Sequence, residues 1–154
     1  MAKNFEDFVS KYNDTWNDVD GAYGAQCVDG FNVYVMWGGH SRISGNAWDI
    51  GSGWQSNGLS SYCKNVTGQQ YKNGDICFWD GTQFAGNPYG HVSMYYNGQY
   101  FGQNQGDGAN GTTGKAFNIM SLVAPKLVLR PNFVGKPDIY ITCVNGIITK
   151  LVVK

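Results

Sequence analysis

Charge is scarce in this sequence. Asp, Glu, Lys and Arg make up 14% of the 154 residues, and eleven acidic side chains cancel eleven basic ones. That balance offers no basic groove and no acidic tail, so no nucleic-acid partner is expected. Long apolar runs are lacking as well. None approaches the ~18 residues that a membrane-spanning helix needs, so no membrane insertion is expected. The opening Met-Ala-Lys-Asn-Phe-Glu-Asp-Phe has neither the basic start nor the apolar middle of a secretory leader. The chain is made in the cytosol, or a leader has been removed. The four cysteines, at 27, 63, 77 and 143, show no CxxC spacing and no Cys/His metal pattern. Thiols without a disulfide framework favour a reducing place of synthesis. A Cys63–Cys77 bridge is left open, though nothing requires it. There are two histidines, so any chemistry that needs an imidazole must use His40 or His91.

What is present is glycine, 22 residues, and aromatic rings, 15% of the chain, in a sequence that is 42% apolar. This is enough for one domain with a real core. A surface that is polar but uncharged suits a protein that meets glycans or peptidoglycan, and equally a loop-rich β protein.

Apolar positions recur at helical spacing in Phe5, Phe8, Val9 and Tyr12, which predicts a short helix over 4–12. A second helix is expected from about Gln26 to Trp37, stopped by Gly38-Gly39. Gly30 inside it costs roughly 1 kcal/mol relative to alanine; a close approach by another element would explain it, as would nothing at all. A further short helix begins near Gly45-Asn-Ala-Trp48. The pattern then changes to strands, at 74–79, 91–96, 99–104 and 127–130. Asn97-Gly98 marks a tight hairpin between the second and third of these. Gly106 to Gly114 reads as a glycine-rich loop and is a candidate for the wall of a cleft. After Gly135-Lys-Pro137, two apolar runs flank Asn145-Gly146 as another hairpin, which either completes the sheet or starts a further module or arm. Helices first and an antiparallel sheet afterwards define an α+β fold.

The stretch most plainly built for chemistry is Asp18-Val-Asp-Gly-Ala-Tyr-Gly-Ala-Gln-Cys27-Val-Asp29. A cysteine where a loop becomes a helix faces unpaired amides and the positive end of the helix dipole, both of which favour a thiolate. A nucleophilic cysteine needs an imidazole to carry its proton and a polar group to orient that imidazole. His91 opens a strand just after Gly90, while His40 lies in a polar surface loop. Pairing about the Asn97-Gly98 turn sets Tyr96 against Gln99 and, counted back without a bulge, His91 against Asn104.

Gln26-Cys27-Val-Asp29 at a helix start, Gly90-His91-Val at a strand start and Gln103-Asn104 closing the next strand together resemble the CHAP domain. Arg130-Pro131 resembles the end of that domain, and the likeness covers roughly residues 5 to 133. CHAP domains are papain-like cysteine amidohydrolase/peptidase modules of bacteriophage endolysins and bacterial cell-wall hydrolases. The resemblance implies a papain-like (NlpC/P60-like) α+β fold, with N-terminal helices packed on an antiparallel β-sheet. It implies a catalytic domain over 1–134 followed by a hairpin extension over 135–154. It also implies hydrolysis of an amide bond in the peptidoglycan of a Gram-positive wall, by an N-acetylmuramoyl-L-alanine amidase or a stem or cross-bridge endopeptidase. Carried over, Cys27 is the nucleophile, His91 the base and then acid, and Asn104 the orienting group. The backbone amide of Cys27 and the side chain of Gln26 are candidates for the oxyanion hole. Many family members read Glu-Gln-Asn where this chain has Gly102-Gln103-Asn104. Either Asn104 orients the imidazole alone, or Gln103 or Asp107 substitutes. The rival expectation is a wall-binding module with weakened or lost catalysis. A monomer is expected, and a separate wall-binding domain beside it is left open. Without a leader, a phage endolysin made in the host cytoplasm and released through a holin pore is favoured.

Asp18, Asp20 and Asp29, with glycine between them, suit a calcium loop of hard oxygen ligands, though without the position-12 glutamate of an EF-hand. The alternative is Asx-turns at Asp18 and Asp20 and a helix cap at Asp29. Some CHAP domains bind calcium here, and the resemblance adds the carbonyls of Ala22 and Gly24 to the ligand set. Such a Ca2+ would brace the loop; no organic cofactor is expected. Tyr23, Tyr89 and Trp48 are the aromatics expected at a substrate groove, the two tyrosines because they stand beside Gly24 and Gly90.

Overall fold

The computed structural model describes residues 2–84, 87–106, 115–135 and 139–153. Helix α1, Phe5–Tyr12, starts where Asn4 caps it by accepting the Glu6 amide at 3.1 Å. Glu6 and Asp7 lie in its first turn and Lys11 in its last, each matched to the helix dipole. Its buried stripe is Phe5, Phe8 and Val9. Helix α2, Cys27–Trp37, is apolar nearly all round and lies in the core, with Phe31, Val33, Tyr34 and Val35 buried. Asp29 folds back over its start and accepts the Gln26 amide at 2.9 Å. Gly30 now has a reason. A Cβ there would stand 2.9 Å from both Gln103 Cβ and the Phe117 ring. Helix α3, Ala47–Ser52, completes the helical layer, with Ala47 and Ile50 buried.

Six antiparallel strands follow: β1 Cys63–Asn65, β2 Ile76–Trp79, β3 His91–Tyr96, β4 Gln99–Gly102, β5 Asn118–Met120 and β6 Leu127–Pro131. They lie in the order β1-β6-β2-β3-β4-β5. The Asn97-Gly98 turn is tight, both residues having positive φ, and Tyr96 faces Gln99 as the sequence predicts. The ladder then runs only to Met94 opposite Phe101, and β4 stops at Gly102 rather than at residue 104. β1 and β5 are three residues each, too short for alternation to announce them.

Period-two alternation divides the core between the two faces of the sheet. Ile76, Phe78, Val92, Met94, Phe101, Leu127 and Leu129 pack toward the helices. Cys77, Trp79, Tyr100 and Val128 form a second, smaller cluster. Cys63 belongs to the first cluster and Cys77 to the second, on strands that both flank β6, and both thiols are free. The bridge left open by the sequence is thus not made. Arg130 on β6 pairs with the buried carboxylate of Asp75 through two 2.8 Å hydrogen bonds, from Nε and Nη2.

One contact ties the beginning of this unit to its end. Lys3 bridges to Val134 in parallel; its amide donates to Phe133 O at 2.7 Å and its carbonyl accepts from Gly135 N at 3.0 Å. Beyond lies a two-stranded sheet of its own, β7 Ile139–Val144 and β8 Ile147–Val153, turning at Asn145-Gly146 with a bulge between Thr142 and Cys143. The hairpin does not complete the main sheet. Among the described residues no helix is long and apolar enough to cross a membrane.

Candidate active site

The loop before α2 is curled by three left-handed residues, Gly21, Tyr23 and Gly24, with φ of 72°, 64° and 71°. It delivers Cys27 as the first residue of α2, half-buried against the helix-side core. The amides of Val28, of Cys27 itself and of Val92, the residue after His91, draw the thiol toward ionisation. Desolvation outweighs them and pushes it up to about 11. The helix-start effect expected from sequence is present, but burial exceeds it.

His91 begins β3 opposite Trp79, on the sheet face away from the helices, and is 5% exposed. The Trp79 ring lies 5.5 Å from it and the Phe84 ring 5.9 Å. Gly90 must be glycine: its φ is 78°, and a Cβ would stand 2.2 Å from Trp79 O and 2.9 Å from Trp48 Cβ. Burial pushes the imidazole down to about 4, against a smaller upward effect of its bond to Gln105. The resting pair is therefore a thiol and a neutral imidazole.

The imidazole's partners differ from those expected. His91 Nε2 lies 2.9 Å from Ser93 Oγ and 3.0 Å from Gln105 Oε1. The Ser93 hydroxyl donates to the same oxygen at 2.5 Å. Asn104 does not take the orienting position. Once β4 ends, Asn104 adopts a left-handed φ of 54°, which turns it out of the ladder toward Gln26. Its Nδ2 donates to Gln26 Oε1 at 3.0 Å, and its Oδ1 is buried without a hydrogen bond. Gln103 is also engaged elsewhere: its Nε2 donates to the carbonyls of Asn17 and Gln26, and its Oε1 accepts from Asn17 N. Asp107 and the rest of the 107–114 loop lie outside the described residues, as do 136–138. Gln105 is the residue that sequence reasoning missed. It follows a left-handed turn, where counting along a strand no longer tells which way a side chain points.

Gln26 has both ends of its carboxamide in use, since Nε2 donates to Tyr23 O at 2.6 Å while Oε1 accepts from Asn104. In this state its side chain is a brace for the loop. Tyr23 and Tyr89 are 78% and 61% exposed. Tyr23 stands on the Cys27 side and Tyr89 on the His91 side, where its carbonyl accepts from Trp48 N at 3.0 Å. Trp48 is half-buried under Lys126 Nζ, 5.5 Å from its ring centre. His40 stacks on Tyr62 at 3.6 Å, a packing role.

Oxygens of Asp18, Asp20 and Asp29 gather within 4.8 Å of one another. Asp29 is buried and receives the amides of Val19, Asp20 and Gln26, so it is also the helix cap. Asp18 and Asp20 each close a turn on a loop amide, Gly21 and Ala22 respectively. Desolvation, with a smaller repulsion from Asp20, raises the Asp29 carboxyl, and a cation would offset both. An all-oxygen donor set with one buried carboxylate fits a hard divalent ion. The carbonyls of Ala22 and Gly24 belong to the same loop.

No family model matches the chain. It is similar to a D-alanyl-L-alanine endopeptidase of Streptococcus phage B30, 32% identical over 131 residues, covering 77% of this chain and 27% of that protein. It is also similar to the endolysin PlyTW of Staphylococcus phage Twort, 31% identical over 105 residues, covering 67% of this chain and 22% of that protein. The chain thus spans about a quarter of the length of these relatives. Among solved structures, the wild-type endolysin LysIME-EF1 superposes with a TM-score of 0.60 at 23% identity, over 86% of this chain and 66% of that one. The papain-like α+β arrangement, helices against an antiparallel sheet, is shared with it.

Proposed function

We propose that this chain is the catalytic unit of a phage-type peptidoglycan hydrolase of the CHAP kind, cutting an amide bond of a Gram-positive wall by a cysteine mechanism. The observation that carries this reading is the meeting of two elements. Cys27 starts a core helix with its sulfur on the amide of Val92, and His91, the residue before Val92, is buried and held through one ring nitrogen. The two similar phage proteins, named as an endopeptidase and an endolysin, support the bacterial cell wall as the substrate of that pair.

In the proposed reaction His91 takes the Cys27 proton and the sulfur attacks the amide carbonyl. The oxyanion is held by the Cys27 amide, with Gln26 as a second donor if its carboxamide releases Tyr23. His91 returns the proton to the leaving amine, and water, activated by the same ring, hydrolyses the thioester. Tyr23, Tyr89 and Trp48 flank the groove that receives the stem peptide or its bridge. Residues 1–134 constitute the catalytic unit and 135–154 an extension.

Zymography on Gram-positive cell walls is the test, with wild type and Cys27→Ala. Wild type is expected to clear and the variant not to. A clearing band that survives the substitution would sink the cysteine mechanism, and wall binding without clearing by either would favour a binding module. Mass spectrometry of the digest identifies the bond.

We also propose that Asp18, Asp20 and Asp29 hold Ca2+, which would hold the loop ahead of α2 by binding its carboxylates together. Removing it with EDTA is expected to lower the melting temperature, and calcium but not magnesium to restore it. An unchanged melt on chelation counts against the site.

A further inference from the structure

We propose that Gln105, seconded by Ser93, is the positioning group that fixes the tautomer and orientation of the His91 ring. This builds on the role of His91 as proton carrier in the proposed reaction. The Gln105 carboxamide can stand only one way round. Its Nε2 is surrounded by three acceptors, Tyr100 O at 2.9 Å, Asn118 O at 3.0 Å and Asn118 Oδ1 at 3.1 Å. A flipped amide would set oxygen against all three. Oε1 therefore faces His91 and Ser93, and an amide oxygen can only accept. The proton on the His91–Gln105 bond must then belong to Nε2. A neutral imidazole has one N–H, so Nδ1 carries the lone pair.

The cluster is closed from every side. Ser93 is fully buried and Gln105 is 2% exposed. Asn118 Nδ2 donates back to Gln105 O at 3.2 Å, so the two residues clasp each other. The chain makes room by having glycine at 102. A Cβ there would fall 2.0 Å from Ser93 Oγ and 2.8 Å from Gln105 Oε1. No side chain can stand at 102 while this pair holds the ring. Asn104 serves a neighbouring purpose, holding the carboxamide of Gln26 beside Cys27. When the Cys27 proton passes to Nδ1, the Nε2–H bond to Gln105 persists. A neutral amide oxygen then steadies the cation without itself taking a proton.

The experiment is a two-bond 1H–15N correlation spectrum of the histidine rings in the full 15N-labelled chain. With two histidines there are two ring patterns to assign. Wild-type His91 at neutral pH is expected to show a protonated Nε2 and an unprotonated Nδ1. A protonated Nδ1, or shifts averaged between the two forms, overturns the proposal. Gln105→Leu is expected to lose the single-tautomer pattern and to cut wall lysis roughly 100-fold, with a melt and a far-UV spectrum checking that it folds. Asn104→Ala is expected to keep the wild-type His91 pattern. A folded Gln105→Leu with the wild-type pattern and pH–rate profile defeats the proposal while leaving the hydrolase reading intact. If wild type lyses no walls, the hydrolase reading fails and the spectrum still decides the role of Gln105. If Gln105→Leu does not fold, the wild-type spectrum alone decides.

Discussion

At the residue scale, the buried imidazole makes stability depend on pH in a stated direction. The folded protein holds His91 at about 4, against an ordinary 6.5. Between those values the unfolded chain binds a proton that the folded one refuses. Stability from this group is complete above about pH 6.5, falls as the pH drops, and levels off below about 4. The difference amounts to about 3 kcal/mol. Urea melts of wild type and His91→Gln across this window are expected to show a steeper loss for wild type. Parallel curves would mean that His91 titrates in the folded state as it does in the unfolded one. Cys27 and His91 were legible in the sequence because each stands at an element start that periodicity reveals. Their ionisation was not. The helix dipole can be read from a pattern, whereas desolvation depends on what the rest of the chain places around the sulfur.

At the element scale, the strands and helices that carry the site follow their predicted bounds closely, and the errors have local causes. The expected pairing of His91 with Asn104 assumed that β4 continued for two more residues. The left-handed φ of Asn104 ends that assumption, and the orienting position passes to Gln105 beyond it. Gly30 in α2 shows how a local cost can encode a long-range contact. Alanine there would gain roughly 1 kcal/mol of helix propensity. Its methyl would meet the stem of Gln103 and the ring of Phe117 at 2.9 Å, and such overpacking costs about 1–3 kcal/mol. Gly30→Ala is therefore expected to destabilise the fold in a denaturant melt, despite its better propensity. A gain in stability would show that Gln103 and Phe117 yield freely.

At the scale of the whole molecule, the sequence order of helices then strands was sufficient to predict an α+β layer pair, and the fold agrees. The strand order, with β6 inserted between β1 and β2, was beyond reach, since β1 and β5 are too short to register. The second core beneath the sheet was also hidden. Its members, Cys77, Trp79, Tyr100 and Val128, alternate with residues of the helix-side core, so strands buried on both faces read as continuous apolar runs. That second core is the floor on which His91 rests.

The contact between Lys3 and Val134 has a consequence for how such a unit can be carried. Chain enters and leaves it at adjacent points on one edge. A unit closed in this way behaves like a bead on a loop. It can be spliced into a longer polypeptide, or have its two ends joined and be reopened at the Asn97-Gly98 turn, without a strand having to cross the junction between α2 and β3.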